Sequence, residues 1–434
     1  MADVRYVVRK ENFGGLMYDR IADAYIPIDK NFFSVLENIL ETRDCSTLES
    51  KFVDFFEREE ILKNKIANYT ILKNSAIGDN LSSPVRIHYC YTYACNMNCK
   101  HCFTKLQKQS SDELTFEEKV NMLDQLEELG ISEILVGGGE PLVKSDILMF
   151  IDECNKRKIN VKVFTNGLLL EENFIIELCK RDIKYISISI DGTTEDEYEE
   201  TRGIRALEKV IKNIQTTKKY CSFPVSMSVT VNGNNYKNAA GYLEIAKKAN
   251  VDRIKVRPTK PSGNVLLYEG VYPTPEQYLE FMCDMQSIWN GDYKDQFKLD
   301  FSWGDTRIKY NLESESMEVI DNPFPYQGYG CFAGKGSMVI RANGDVSPCG
   351  FLPENIQTYV GDNIRNKSIK ELWDNGIRFE KLRNISENST CVNCQYYLVC
   401  RGGCIARILH AGRKINDIDP WCLKAFFPAK MKGR

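Results

Sequence analysis

The chain has 434 residues, 43% hydrophobic and 27% charged, an ordinary globular composition in a length that calls for more than one domain. Its 57 basic and 60 acidic residues leave a net charge of −3, which gives no general case for a nucleic-acid or anionic-membrane partner. No apolar run reaches membrane-spanning length, and the N-terminus MADVRYVVRKENFGG lacks the apolar segment of a secretory signal, so the expectation is a cytoplasmic protein.

Residues 1–80 read as a small unit. VRYVVRK, GGLMYDR and DAYIPID are short, rich in β-branched and aromatic residues, and separated by Gly and Asp turn signals. KNFFSVLENILETR then puts Phe32, Val35, Leu36, Ile39 and Leu40 on one helical face behind Asp29 as N-cap. LESKFVDFFEREEILKNKI adds further helix. Three strands followed by about three helices predict a winged-helix-like arrangement. It reads either as a stabilising extension or as a peptide-docking module with an exposed edge strand.

From Val85 the pattern turns to strand–helix alternation. The strands are expected at 85–89, 133–137, 161–165, 185–190, 225–231 and 253–258. Helical stretches lie between them. The first has Thr115 as cap, Glu118 at the capping-box position and Gly130 past its end. Six β/α units imply a parallel sheet covered by helices, as an open doubly wound sheet or a partial barrel. In both, function sits at the C-terminal strand ends. A three-cysteine loop follows the first strand, GGGEP (137–141) the second, TNG (165–167) the third and DG (191–192) the fourth. After about residue 270 the alternation stops, and PTPEQYLEFMCDMQSIW predicts one more helix.

Sixteen cysteines need explaining in a chain with no secretory signal, and they cluster. A secreted disulfide scaffold would spread them along a short sequence, so metal or cluster ligation is the better reading. Histidine is scarce (His88, His101 and His410), which weakens mixed Cys/His zinc motifs and leaves few general bases. In CNMNCKHC, Cys95, Cys99 and Cys102 give three soft ligands on one loop. They would be structural thiols, a zinc site finished by a distant ligand, or a cluster with one position open. A second group holds Cys331, Cys349, Cys391, Cys394, Cys400, Cys404 and Cys422. Seven thiolates do not complete two four-thiolate zinc sites. The remaining six are Cys45, Cys90, Cys154, Cys179, Cys221 and Cys283; Cys154 and Cys179 fall in apolar helical patterns and are expected to be buried hydrophobes.

The spacing C-x3-C-x2-C followed by GGGEP resembles the radical S-adenosylmethionine superfamily. The resemblance implies a [4Fe–4S] cluster on Cys95, Cys99 and Cys102, whose fourth iron chelates S-adenosylmethionine and yields a 5′-deoxyadenosyl radical. It places His101 where an aromatic residue usually meets adenine, and Gly138, Gly139 and Glu140 at the methionyl amine. Ser189 falls at the ribose position, with Asn166 and Arg202 as further pocket residues. The second cysteine group resembles the SPASM extension, which carries two auxiliary [4Fe–4S] clusters, for three in all. Carried over, Cys331, Cys349 and Cys404 hold an inner, three-ligated cluster. Cys391, Cys394, Cys400 and Cys422 hold the outer one.

The expected fold is α/β: a partial (β/α)6 TIM-type barrel at 81–270, a winged-helix-like unit at 1–80, a bridging region at 271–325 and a SPASM domain at 326–434. The N-terminal unit looks like the precursor-recognition (PqqD-like) element of peptide maturases. The implied function is an oxidoreductase that installs an intramolecular crosslink, thioether before carbon–carbon, in a ribosomally made precursor peptide. A flavodoxin or ferredoxin would donate electrons. Neither nucleic acid nor membrane is an expected partner, and no residue is singled out as a catalytic base. The alternatives are an anaerobic sulfatase maturase, a maturase of a peptide-derived redox cofactor, and an iron–sulfur or zinc scaffold that binds a peptide. Gly350 stands where sulfatase maturases place an Asp after the second SPASM cysteine, and a pure scaffold has no need of GGGEP.

Overall fold

The computed structural model describes residues 4–46, 48–64, 66–72, 76, 80–103, 112–303, 306–311, 316–321, 331–353, 362–383, 391–394, 400, 402–422 and 424. The chain opens on three antiparallel strands, β1 (Tyr6–Glu11), β2 (Gly14–Asp19) and β3 (Ala24–Asp29). Helix α1 (Lys30–Thr42) follows, capped by Asp29, whose Oδ1 accepts from the Phe32 amide at 2.7 Å. It buries Phe33, Leu36 and Ile39 on the sheet. Helix α2 (Ser50–Arg58) buries Phe56 and stops.

The expected continuation of helix to residue 66 is not seen. The chain turns with Glu60 at φ 55°, and β4 (Leu62–Lys63) and β5 (Ile66–Ala67) form a hairpin. The reason is the core face: a longer helix would set Glu60 one turn above Phe56, whereas the turn buries Ile61 and Leu62 together. Strand β6 (Tyr69–Leu72) then pairs parallel to β1. The unit is thus a four-stranded sheet, order β3-β2-β1-β6, with two helices in place of the expected three.

The six predicted strands are β7 (Arg86–Thr92), β8 (Glu133–Gly138), β9 (Asn160–Thr165), β10 (Tyr185–Ser189), β11 (Val225–Val231) and β12 (Arg253–Pro258). All are parallel and lie in chain order. A doubly wound sheet reverses its order at a switch point; consecutive order without reversal is barrel winding. The intervening helices include α3 (Phe116–Glu128), with its Thr115/Glu118 capping box, and α6 (Glu195–Arg202), which the apolar pattern did not reveal. Helices α4 (Ile147–Lys156), α5 (Glu172–Leu178), α7 (Leu207–Tyr220) and α8 (Ala239–Ala249) complete the layer.

The sheet does not end at β12. After α9 (Pro275–Ile288), β13 (Lys298–Trp303) adds parallel to β12, and β14 (Thr306–Asn311) and β15 (Ser316–Asp321) continue antiparallel. At the other edge β16 (Ser337–Ile340) pairs parallel to β7 and leads to β17 (Asp345–Ser347) and β18 (Asp362–Asn363). The barrel is therefore open, with the C-terminal region joined to its first strand. Helix α10 (Ile369–Asn375) fastens this region: Trp373 is fully buried and its Nε1 donates to Leu81 O at 2.7 Å.

The N-terminal unit is seated on the end of the barrel where the strands begin. Tyr25 Oη donates to Val85 O at 2.8 Å, Arg9 Nη1 to Pro84 O at 3.0 Å, and Asn160 Nδ2 to Asp23 Oδ1 at 3.0 Å. Buried Glu11 accepts from Ser82 N and Oγ at 2.7 and 2.8 Å. Arg86, Glu133 and Lys162 form an ion network under this contact. Cys179 and Cys221 are joined as a disulfide, Cα–Cα 5.0 Å, linking the ends of α5 and α7. This corrects the expectation that Cys179 is only an apolar helix residue. Cys154 is fully buried. No helix among the described residues is long and apolar enough to cross a membrane.

Candidate cofactor site at the barrel rim

The loop after β7 carries Cys95, Cys99 and Cys102, and the loop after β8 carries GGGEP, on adjacent strands of one rim. The two loops are bonded to each other: Gly139 N donates to Thr92 O and Glu140 N to Ala94 O, both at 2.8 Å. Glycine is required here. A Cβ on Gly139 would stand 2.1 Å from Ala94 O, and one on Gly138, at φ +116°, 2.6 Å from Cys90 Sγ. The glycines let the cysteine loop approach, a role nearer home than the ligand contact expected of them.

Glu140 is buried, and three donors already face its carboxylate: Leu142 N at 3.0 Å, Thr165 Oγ1 at 2.7 Å and Asn166 N at 2.7 Å. Burial raises its pKa and these bonds work against the rise. It braces the GGGEP loop against the TNG loop. Asn166 reaches the cysteine loop, donating from Nδ2 to Asn96 Oδ1 at 2.7 Å. Ser189 is the last residue of β10 and is partly exposed.

His101 and Arg202 converge on a residue that sequence reasoning passed over. Asp191, fully buried, faces His101 Nε2 at 3.0 Å, is bonded by Arg202, and accepts from Thr230 N at 2.6 Å. Burial pushes its pKa up, but Arg202 and then His101 outweigh this and hold the carboxyl well below the usual range. The guanidinium also lies 3.9 Å from Cys99 Sγ. The only sequence signal for Asp191 was the DG turn after the fourth strand.

Cys102 lies close enough to both Cys95 and Cys99 to act on their ionisation, and Cys95 on that of Cys99. Burial pushes Cys99 up to about 12, partly offset by Arg202, and also raises Cys95. Thiolate ligation would therefore release protons. Among the described residues no three His, Cys, Asp or Glu side chains converge as they would around a single ion. A cluster spreads its thiolates more widely, and an all-thiol set suits it. Around the loop Asn96 Nδ2, His101 Nδ1 and Arg202 Nε are buried without partners, the kind of polar group a bound cofactor satisfies. The residues present fit such a group.

In the C-terminal region two subsets of thiols appear. Cys331 and Cys349 pack with Ala333, Leu352, Leu382 and Ile405, the neighbour of Cys404. Cys400 feels Cys422 and Cys391, and burial with nearby Asp419 pushes it up to about 12; Cys394 N donates to Cys391 O at 2.8 Å. Between the subsets, Cys404 N donates to Asp419 Oδ2, which also pairs with Arg407, both distances 2.6 Å and both side chains buried.

A parallel partial barrel with a three-cysteine loop on its rim and a thiol-rich C-terminal region defines a class, the iron–sulfur radical enzymes. The Radical SAM superfamily model matches residues 89–246 and the SPASM iron–sulfur cluster-binding domain matches 331–395. The chain is a radical S-adenosylmethionine enzyme with a SPASM domain. It is 28% identical over 349 residues to an AdoMet-dependent heme synthase of Methanosarcina barkeri, covering 79% of this chain and 97% of that one. It is 24% identical over 357 residues to the mycofactocin maturase MftC of Mycolicibacterium smegmatis, covering 82% and 86%. SuiB of Streptococcus suis, solved with S-adenosylmethionine, shares the fold with a TM-score of 0.73 at 18% identity, over 98% of this chain and 99% of that one. SuiB has also been solved with its precursor peptide SuiA.

Proposed function

We propose that the chain matures a ribosomally made precursor peptide by forming an intramolecular crosslink, a thioether in the first place and a carbon–carbon bond in the second. The observation that carries this is the coverage of the SuiB likeness, which takes in the N-terminal sheet as well as the barrel and SPASM region. In that sheet β3 is an edge strand with Ile26 and Pro27 exposed, suited to receive a leader peptide as an added strand. The proposed division is 1–80 for precursor recognition, 81–270 for the core, 271–325 as a bridge and 326–434 for the SPASM domain, in a cytoplasmic enzyme fed by a flavodoxin or ferredoxin.

Three [4Fe–4S] clusters are inferred. Cys95, Cys99 and Cys102 would hold the first; Cys331, Cys349 and Cys404 the inner auxiliary one; Cys391, Cys394, Cys400 and Cys422 the outer. With S-adenosylmethionine the first supplies a 5′-deoxyadenosyl radical. The chain's own residues prepare the place for it. Asp191 fixes His101 and Arg202, the latter against Cys99; Glu140 and the glycines fix the loop opposite; Asn166 ties the two. Ser189 stands at the strand end for the ribose.

The test uses a precursor peptide from any short reading frame found beside the gene, incubated anaerobically with reconstituted enzyme, S-adenosylmethionine and dithionite. The expected product has lost two hydrogens and one free thiol, with 5′-deoxyadenosine formed. Loss of two hydrogens with every thiol retained selects the carbon–carbon bond. An unchanged peptide, with turnover of a porphyrin precursor instead, overturns the reading in favour of the heme-synthase relative.

A further inference from the structure

Lys260 lies two residues beyond β12, on the same rim, and only 8% of it is exposed. Its Nζ is 3.6 Å from Cys404 Sγ and 5.9 Å from the centre of the Phe351 ring. Among the described residues no carboxylate comes within ion-pair distance of it. The other buried cation here, Arg407, is matched by Asp419. A buried ammonium facing a neutral thiol is poorly compensated; one facing a thiolate in an anionic cluster is well placed.

The segment holding Lys260 also grips the first cysteine loop. Ser262 N donates to Lys260 O at 2.8 Å, and Asn264 donates from its backbone to Cys102 O at 2.8 Å and from Nδ2 to Cys99 O at 3.1 Å. Gly263, at φ +63°, has no room for a Cβ, which would stand 2.4 Å from Phe103 O. The Phe103 ring meets Phe351 at 4.8 Å, two residues past Cys349. Residues 260–264 thus form a strap from the Cys99–Phe103 loop to Cys404.

We propose that Lys260 donates an N–H···S hydrogen bond to the Cys404 thiolate and raises the reduction potential of the inner auxiliary cluster, tying that potential to the barrel rim. This rests on the reading of Cys331, Cys349 and Cys404 as ligands of that cluster. Hydrogen bonds to sulfur and nearby positive charge both favour the reduced, more negative cluster. Lys260 is a positioning residue that acts through Cys404.

The experiment is an EPR-monitored redox titration of the anaerobic holoenzyme beside iron analysis, for wild type, Lys260→Met and Lys260→Arg. In Lys260→Met, one auxiliary signal is expected to move to more negative potential while the other two clusters keep theirs and iron is unchanged. Lys260→Arg restores most of the shift. Unchanged potentials in a fully loaded Lys260→Met overturn the proposal. Should that variant fail to load, Lys260→Gln, which keeps a donor without the charge, is titrated in its place; a smaller negative shift supports the proposal and none overturns it. A wild type with roughly four irons and no auxiliary signal would remove the underlying ligand reading, a distinct result.

Discussion

Asp191 has no exposed surface, so its charge depends on what faces it: Arg202, His101 and the Thr230 amide. Removing one partner of a buried ion pair leaves the other uncompensated, at a cost of about 3–5 kcal/mol. Asp191→Asn is therefore expected to lower the urea unfolding free energy of the cluster-free chain by about that amount and to release Arg202 from Cys99; an unchanged midpoint would show that Arg202 finds another anion. The individual roles around this residue were only partly legible. Cysteine spacing marks the rim because clustered soft ligands have few other uses, and GGGEP adds to it by following the next strand on the same rim. A lone buried carboxylate carries no such mark, since its importance lies in what folding brings to it. Likewise Glu140 was readable as an acceptor, but not that the chain's own Leu142, Thr165 and Asn166 supply its donors.

At the scale of elements, the barrel strands β7–β12 and most of the helices between them were readable, whereas β4–β6 and β13–β18 were not. Of the barrel strands β11 is buried almost throughout, whereas β7 (RIHYCYT) and β12 (RIKVRP) alternate buried residues with half-buried or exposed ones, so apolar runs and period-two alternation together mark their positions. Helix α6, EDEYEETR, buries only Tyr198, Thr201 and Arg202, and so short a charged segment gives little apolar period to read. The Thr115 capping box was legible, but its second duty was not: Glu118 also binds Arg365 at 2.6 Å, clamping α3 to the C-terminal region. That bond lowers the Glu118 pKa from 4.5 to about 2. A depressed carboxylate contributes stability above its unfolded pKa and loses it as pH falls toward the folded one. Arg365→Met should cost on the order of 1 kcal/mol at pH 6, since the pair is partly exposed. The gap between variant and wild type should close as pH falls through the window from 4.5 toward 2, read by urea titration of the cluster-free chain. A gap independent of pH would mean that Arg365 acts through packing.

The whole molecule is less modular than its sequence suggests. The N-terminal sheet covers the end of the barrel where the strands begin, through Tyr25, Arg9, Asp23 and Glu11, while the cysteine loops lie at the opposite end. Deleting residues 1–80 would expose the Arg86–Glu133–Lys162 network and unpair Ser82 and Asn160, so it should cost several kcal/mol of barrel stability. It is expected to give an aggregating or thermally weakened chain, followed by solubility and melting temperature; a stable, cluster-loaded product would show the unit to be detachable. A peptide held at the N-terminal sheet must also cross the length of a barrel strand, about 20 Å or six extended residues, to reach the rim.

On the reading proposed above, the two cysteine groups hold three clusters, one of them at the S-adenosylmethionine site. Iron and sulfide analysis of anaerobically purified protein tests it most directly, comparing wild type with Cys95→Ala/Cys99→Ala/Cys102→Ala. About twelve of each are expected per wild-type chain and about eight in the triple variant, which forms no 5′-deoxyadenosine under reducing conditions. About four per wild-type chain, zinc in place of iron, or S-adenosylmethionine cleavage that persists in the variant would contradict it.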